Sequence, residues 1–294
     1  MYKKLQWLAG KVRRRFAPEV PTRSLSEWEA RHEETVRESV EAVLPHLPEG
    51  GVFLDIGANI GIFTRLLREA RPSATGILFE PVARYADMCR ERFSGDEGVE
   101  VVHAAVGDED AVRTIYKAAH NYGANSLMTE IMFDRRPNSA VRPDTVIEEE
   151  EIQLVHGSRW LLERGIKHVD VIKTDTEGYD YAVLDGLREW LVETGCRPVL
   201  HVELLAEDYH PLAGRQREAL DAYIPLGYQP VDLDRDLSGT VGDVLLIPQG
   251  RTASGEASEQ GPSEQGPSEQ GPSEEGPGEE GPGGSASKGS PPRP

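Results

Sequence analysis

Short apolar runs alternate with stretches of helical periodicity along most of the chain. Such runs are typical of buried strands in a parallel sheet, and they predict strands at residues 52–56, 76–79, 99–106, 169–174 and 198–204. Between them, apolar residues spaced three and four apart predict helices near residues 60–70, 85–93, 160–164 and 183–191. Strands separated by helices predict a mostly parallel sheet with right-handed crossovers.

The C-terminal part of this alternation predicts one edge of the sheet. A helix over residues 219–224 is followed by strands at 227–233 and 244–247, which lie close enough in sequence to pair antiparallel. Residues 112–116 predict an extra strand. Residues 117–150, with Gly, Asn and Pro and an acidic run at Glu148–Glu151, are predicted to be irregular. The expected fold is α/β, a mostly parallel sheet with an antiparallel edge.

Both ends of the chain differ from this body, which we assign to residues 24–250. Residues 1–23 predict a basic amphipathic helix that ends near Pro18. It is expected to pack on the body, to make weak contact with a membrane surface through residues 1–17, or to act as an organellar targeting segment. In residues 251–294, SEQGP occurs three times in tandem without an apolar face, which predicts a disordered tail.

Charge and cysteine usage narrow the class of partner. The formal net charge is −19, and residues 1–23 hold seven Lys/Arg against one Glu, so the body is strongly acidic. An acidic body argues against a nucleic-acid partner, because binding a phosphate backbone needs Lys and Arg. The two cysteines form no C-x-x-C motif, and no long apolar run is present. We expect a cytoplasmic protein, peripheral at the membrane if residues 1–17 bind lipid.

A glycine-rich loop follows the first predicted strand and opens a helix. It contains Asp55, Gly57, Asn59 and Gly61, and a strand–turn–helix of this kind points backbone N–H groups at a ligand. A Walker phosphate loop is excluded because no Gly-Lys-Ser/Thr follows. The loop lacks the middle glycine of the fingerprint that binds a nicotinamide dinucleotide. In addition, the Asp55 carboxylate would repel a pyrophosphate. S-adenosylmethionine, which carries an ammonium and a sulfonium, tolerates that carboxylate better.

A second acid supports an adenosyl ligand. Glu80 follows the second predicted strand, and a carboxylate at the tip of the neighbouring strand can accept hydrogen bonds from ribose hydroxyls. The predicted cofactor site is therefore Asp55, Gly57, Asn59, Gly61 and Glu80, and the predicted cofactor is S-adenosylmethionine.

The sequence resembles the FkbM family of S-adenosylmethionine-dependent O-methyltransferases. The resemblance rests on LDIGANIG (54–61), FEP (79–81), AAVGD (104–108), NSL (125–127), DVIKTDTEGYDYAVLDG (170–186) and the strand with Glu203. It implies a seven-stranded, Rossmann-like class I methyltransferase sheet and methyl transfer to an oxygen, often on a sugar or natural product. Residues 117–150 match only at NSL, so the acceptor, a small molecule or a glycan, is not implied more closely.

The chemistry is expected at the end of the fourth predicted strand. Lys173 and Asp175 are two apart and should share a face, so that Lys173 keeps Asp175 ionised. We predict Asp175 as the base that orients the acceptor, Glu177 as its partner and His201 as the reserve base. Two alternatives remain open, namely a turn-stabilising ion-pair network and a divalent ion held by Asp175, Glu177 and Glu203. The histidines show no metal-binding spacing, and no metal is predicted.

Two other function classes are weighed against methyl transfer. A nicotinamide oxidoreductase is disfavoured by the loop, and a catalytically silent binding module is disfavoured because Asp175 and Glu177 are both present.

Overall fold

A computed structural model describes residues 25–119, 122–133, 145–207, 209–233 and 241–250. The predicted N-terminal helix and the predicted disordered tail lie outside these residues. Among the described helices, none is both long and apolar enough to cross a bilayer.

Seven strands form the main sheet. They are β1 (Val52–Ile56), β2 (Thr75–Phe79), β3 (Val99–Val102), β8 (Val171–Thr174), β9 (Val199–Leu205), β10 (Tyr228–Leu233) and β11 (Val241–Pro248), in the order β10-β11-β9-β8-β1-β2-β3. The pairs from β3 to β9 are parallel, and β11 runs antiparallel to both β9 and β10. This confirms the predicted Rossmann-like sheet with its antiparallel edge.

A second sheet of four strands was not predicted. Its strands are β4 (Ala105–Gly107), β5 (Ala111–Ala118), β6 (Asn125–Ser126) and β7 (Ile147–His156), in the order β4-β7-β5-β6. The single strand predicted over residues 99–106 is wrong, because the chain leaves β2 after Val102 and pairs with β7 from Ala105 onward. The extra strand predicted at 112–116 lies within β5, and the end of the strand predicted at 99–106 lies within β4.

The prediction that residues 117–150 are irregular is wrong where β7 forms. Its acidic run pairs with β5, so that Glu150 lies opposite Ile115. The Nζ of Lys117 lies 2.7 Å from Glu150, whose other oxygen accepts a hydrogen bond from the N–H of Ala83. The charges are therefore paired or exposed, while Ile152 and Leu154 enter the core.

Helices cover both faces of the main sheet. They are α1 (Leu25–Val43), α2 (Ile62–Ala70), α3 (Ala83–Arg92), α4 (Thr129–Met132), α5 (Gly157–Glu163), α6 (Asp180–Thr194) and α7 (Ala213–Asp221). Val43, Phe63 and Leu67 belong to the core cluster that includes α1 and α2, and Leu187 and Trp190 of α6 belong to the second cluster. The helix predicted at 219–224 begins earlier and ends at Asp221.

The α1 helix is fixed to the body by charge pairs as well as by apolar contacts. Arg65 of α2 lies 2.8 Å from Glu33, and Arg92 of α3 lies 2.7 Å from Glu29. Val40 and Val43 are buried on its inner side. The helix is thereby held against the edge of the sheet that carries the candidate site.

Candidate active site

The carboxyl ends of the parallel strands β1, β2, β8 and β9 meet at one edge of the sheet, where ligands bind in open α/β folds. A cavity of about 560 Å³ opens there. Its described lining includes residues of the glycine loop, the ends of these strands, α1 and β11, among them Gly57, Asn59, Glu80, Lys173, Asp175, Glu177, His201, Glu203 and Asp243.

The glycine loop adopts a left-handed backbone at three positions. Gly57 has φ 78°, Asn59 φ 51° and Gly61 φ 79°. A Cβ at Gly57 would lie 1.9 Å from the carbonyl oxygen of Asp175, so only glycine allows the loop to approach the end of β8 this closely. Asn59 tolerates its conformation because its side-chain Nδ2 donates to the carbonyl of Tyr122 at 2.8 Å.

Glu80 is a buried carboxyl group at the end of β2, with 4% of its surface exposed. Its two oxygens accept hydrogen bonds from the backbone N–H groups of Asn59, at 2.7 Å, and Val82, at 2.8 Å. Burial raises the pKa of Glu80 to about 8, although these two hydrogen bonds oppose the shift. The group is thus fixed in position and faces the cavity beside the glycine loop.

Asp55 and Gly61 lie behind the cavity and are not among its described lining residues. Asp55 is fully buried and accepts a hydrogen bond from the hydroxyl of Thr64 at 2.7 Å. A Cβ at Gly61 would lie 2.8 Å from the ring of Phe93, so this glycine allows α2 and α3 to pack. The structure gives both residues a supporting position, and their direct contact with a cofactor stays a prediction.

Lys173 contacts both the glycine loop and the turn after β8. Its Nζ donates to the carbonyl of Gly57 at 2.9 Å and lies 3.3 Å from carboxylate oxygens of both Asp55 and Asp175. Burial would lower the pKa of Lys173, but the charges of Asp175 and Asp55 outweigh it and raise the pKa. The lysine is therefore a fixed cation that positions Asp175, as the two-residue spacing predicts.

The turn after β8 carries the two predicted catalytic acids. The side chain of Asp175 is 41% exposed, and Glu177 has a left-handed backbone with φ 53°. Burial, together with the charges of Asp175 and Asp180, raises the pKa of Glu177 well above its usual range. Asp180, which the sequence analysis missed, accepts a hydrogen bond from the hydroxyl of Thr174 at 2.6 Å and so closes the turn.

Two side chains from distant parts of the chain hold this turn from outside. The hydroxyl of Ser126 donates to the carbonyl of Glu177 at 2.8 Å, and Nε2 of His210 donates to the carbonyl of Gly178 at 2.9 Å. Ser126 belongs to the NSL segment, whose role the sequence analysis did not assign. His210 was missed, because no sequence pattern connects it to the turn.

The strands beyond β8 contribute further polar groups. His201 is 2% exposed and lies opposite Lys173 in the pairing of β8 and β9; its role as the reserve base stays a prediction. Glu203 of β9 lies opposite Asp243 of β11, and Asp243 was also missed. Among the described residues, no three His, Cys, Asp or Glu side chains are arranged to hold a metal ion.

The chain matches the family described as Methyltransferase FkbM domain over residues 55–224. It is 29% identical over 149 residues to 2-O-methyltransferase NoeI of Sinorhizobium fredii, a match covering 49% of this chain and 60% of that protein. It is 32% identical over 167 residues to 31-O-demethyl-FK506 methyltransferase FkbM of Streptomyces tacrolimicus, covering 49% of this chain and 62% of that protein. The chain thus spans about three fifths of the length of these relatives.

A solved structure, a putative caffeoyl-CoA O-methyltransferase from Staphylococcus aureus, superposes with a TM-score of 0.44 and 7% identity, covering 82% of this chain and 98% of that one.

The site fits S-adenosylmethionine. Gly57 leaves the cradle beside the loop free of a side chain. The buried Glu80 carboxyl offers acceptor oxygens at the tip of β2, where a ribose is bound in sheets of this kind. Asp175 supplies a half-exposed negative charge near the glycine loop, which suits a sulfonium better than a phosphate.

Proposed function

Because this chain belongs to the FkbM methyltransferase family, with S-adenosylmethionine as its cofactor, we propose that it methylates a hydroxyl oxygen of a small-molecule or glycan acceptor. The observation that carries the proposal is the position of Asp175. Its carboxylate lines the same cavity as Glu80 and Glu203 and is held by Lys173 at 3.3 Å. The names of the two relatives, a 2-O-methyltransferase and a methyltransferase of 31-O-demethyl-FK506, support oxygen as the acceptor atom.

The chain's residues mainly position the reactants and remove a proton. The bound cofactor supplies an activated methyl group, so no further activation of that carbon is required. Gly57 and Asn59 shape the cradle, and Glu80 binds the ribose. Lys173 keeps Asp175 at the end of β8, next to the place where the acceptor hydroxyl must lie in line with the methyl carbon.

In the proposed methyl transfer, Asp175 accepts the proton that the acceptor hydroxyl loses. The acceptor oxygen forms a bond to the methyl carbon as the bond from that carbon to sulfur breaks, and the electron pair stays on sulfur. The hydroxyl proton moves to the Asp175 carboxylate and from there to water. The products are a methyl ether, S-adenosylhomocysteine and a proton, and no oxidant or metal is needed.

Asp175→Asn tests this assignment. The amide keeps the shape but cannot take the proton, and Lys173 retains Asp55 as a partner. We expect turnover to fall by about 10²-fold or more, the usual contribution of a positioned base, while calorimetry finds S-adenosylhomocysteine binding nearly unchanged. Transfer of a tritiated methyl group to a panel of sugars and hydroxylated metabolites is the measurement.

Asp87→Asn is the matched control, because the Asp87 side chain is 73% exposed on α3. It should keep full turnover. Normal turnover of Asp175→Asn would remove the catalytic assignment. A chain that binds S-adenosylhomocysteine but transfers no methyl group to any compound of the panel would instead support the silent binding module.

A further inference from the structure

The site residues follow the order of the strands across the sheet. Glu80 ends β2, the glycine loop follows β1, and Asp175 follows β8. The next two strands, β9 and β11, carry Glu203 and Asp243 at paired positions. Strands lie roughly 4.8 Å apart, so these two carboxyl groups extend the cavity by about 5 and 10 Å beyond β8, on the side away from Glu80. This is where an acceptor must enter if the cofactor occupies β2 to β8.

The half of the cavity beyond β8, where the acceptor would lie, is rich in carboxyl groups among its described lining residues. Among the described lining residues, Lys173 is the one lysine or arginine, and it is already shared between Asp55 and Asp175. The Oε2 atom of Glu203 is buried and accepts no hydrogen bond from any residue that the structure describes. Burial and the charges of the nearby Asp175 and Glu177 raise the pKa of Glu203, and a bound cation would favour its ionised form.

Two ring-bearing side chains of α1 also line the cavity. Trp28 of α1 stacks on His32 with ring centroids 4.0 Å apart, and its ring lies 5.9 Å from that of Tyr122. Trp28 and His32 both line the cavity. The face of an indole attracts a cation, so Trp28 and Glu203 favour the same kind of group in this cavity.

Building on the proposed function, we propose that the methyl acceptor carries a protonated amine, which the Glu203 carboxylate binds. The acceptor is then an amino alcohol or an amino sugar rather than a neutral or acidic compound. A cation beside Glu203 gives its buried Oε2 atom the partner that the described residues do not supply, whereas an acidic acceptor would bring a second negative charge to it.

Three probes test the charge preference on the full chain loaded with S-adenosylhomocysteine. Glucamine, sorbitol and gluconate share a six-carbon polyhydroxyl chain and end in an ammonium, a hydroxyl and a carboxylate, respectively. We expect calorimetry to give glucamine at least about tenfold higher affinity than sorbitol, and gluconate the lowest affinity. Glu203→Gln should remove the preference for glucamine. Glu207→Gln, on an exposed side chain, should keep it.

The proposal is overturned if glucamine does not bind, if it binds no better than sorbitol, or if Glu203→Gln retains the preference. The comparison of the three probes in the unsubstituted chain tests the preference for an amine even if Glu203→Gln folds poorly. If the unsubstituted chain fails to bind S-adenosylhomocysteine, the proposed function itself fails. If it binds S-adenosylhomocysteine without preferring the amine, only the acceptor inference fails.

Discussion

At the scale of single residues, three acids of one chemical type have three different environments. Asp55 is fully buried and paired with Lys173, Glu80 is buried with two backbone hydrogen bonds, and Asp175 is half-exposed in the cavity. All three stand at or near the carboxyl end of a strand. Their surroundings, and not their residue type, decide which of them can act on a substrate.

Glu80→Gln is expected to weaken binding of S-adenosylhomocysteine and to change its pH dependence. In the proposed site the ribose hydroxyls donate to the carboxylate, so binding should require the deprotonated group. Since the pKa of Glu80 in the free protein is raised to about 8, affinity should rise with pH up to about 8 and then level off. The amide should remove this rise and cost about tenfold or more at high pH, the usual value of one hydrogen bond to a charged group.

Calorimetry across this pH range is the measurement. In buffers of different ionisation enthalpy it should also detect proton release on binding at pH 7, which the Glu80→Gln variant should lack. A pH-independent affinity in the unsubstituted chain would contradict this account of Glu80.

At the scale of elements, close approach of backbones explains two of the matching motifs. A Cβ at Gly186 of α6 would lie 1.9 Å from the carbonyl oxygen of Gly107, which ends β4. Gly107 belongs to AAVGD and Gly186 to the long motif that ends in LDG. These motifs therefore join the second sheet to the helix that follows the turn after β8.

Gly186→Ala is expected to destabilise the protein by about 1–3 kcal/mol, the usual cost of overpacking a core. The added methyl group meets backbone atoms of Gly107, which cannot move as a side chain can. Gly214→Ala is the matched control, because Gly214 lies in α7 with open space around its Cβ position. It should leave stability unchanged or raise it by up to about 1 kcal/mol. Denaturant unfolding measures both, and equal stabilities would refute the contact.

At the scale of the whole molecule, the described residues that line the candidate site all lie in the body of the chain. The described lining residues run from Trp28 to Asp243. We predict that removing residues 251–294 leaves the rate of methyl transfer and the melting temperature unchanged, because the repeat has no apolar face to add to a core. Turnover of the chain truncated after Gly250 is the measurement, and a large loss would show that the tail takes part.

Residues 1–17 are predicted to bind anionic vesicles weakly through their basic and apolar residues. Co-sedimentation with vesicles that contain phosphatidylserine is the measurement, with the chain starting at Ser24 as the control. Equal sedimentation of the two chains would rule out the contact.

The sequence by itself determined those features whose physical cause is local. The alternation of strands and helices follows from the spacing of apolar residues, and the glycine loop follows from glycines at positive φ. Charged residues at the carboxyl ends of parallel strands meet at one edge of the sheet. The sequence alone therefore predicts that Glu80, Lys173 and Asp175 lie close together.

Only the tertiary structure decided which distant residues complete the site. Ser126 and Glu177 are 51 residues apart in sequence, and His210 and Gly178 are 32 apart. The break between β3 and β4 depends on the pairing of Ala105 with Leu154. Such contacts leave no periodic pattern, because they depend on how elements pack and not on the backbone preferences of any one segment. The burial of Asp55 and the position of Trp28 in the lining of the cavity have the same cause.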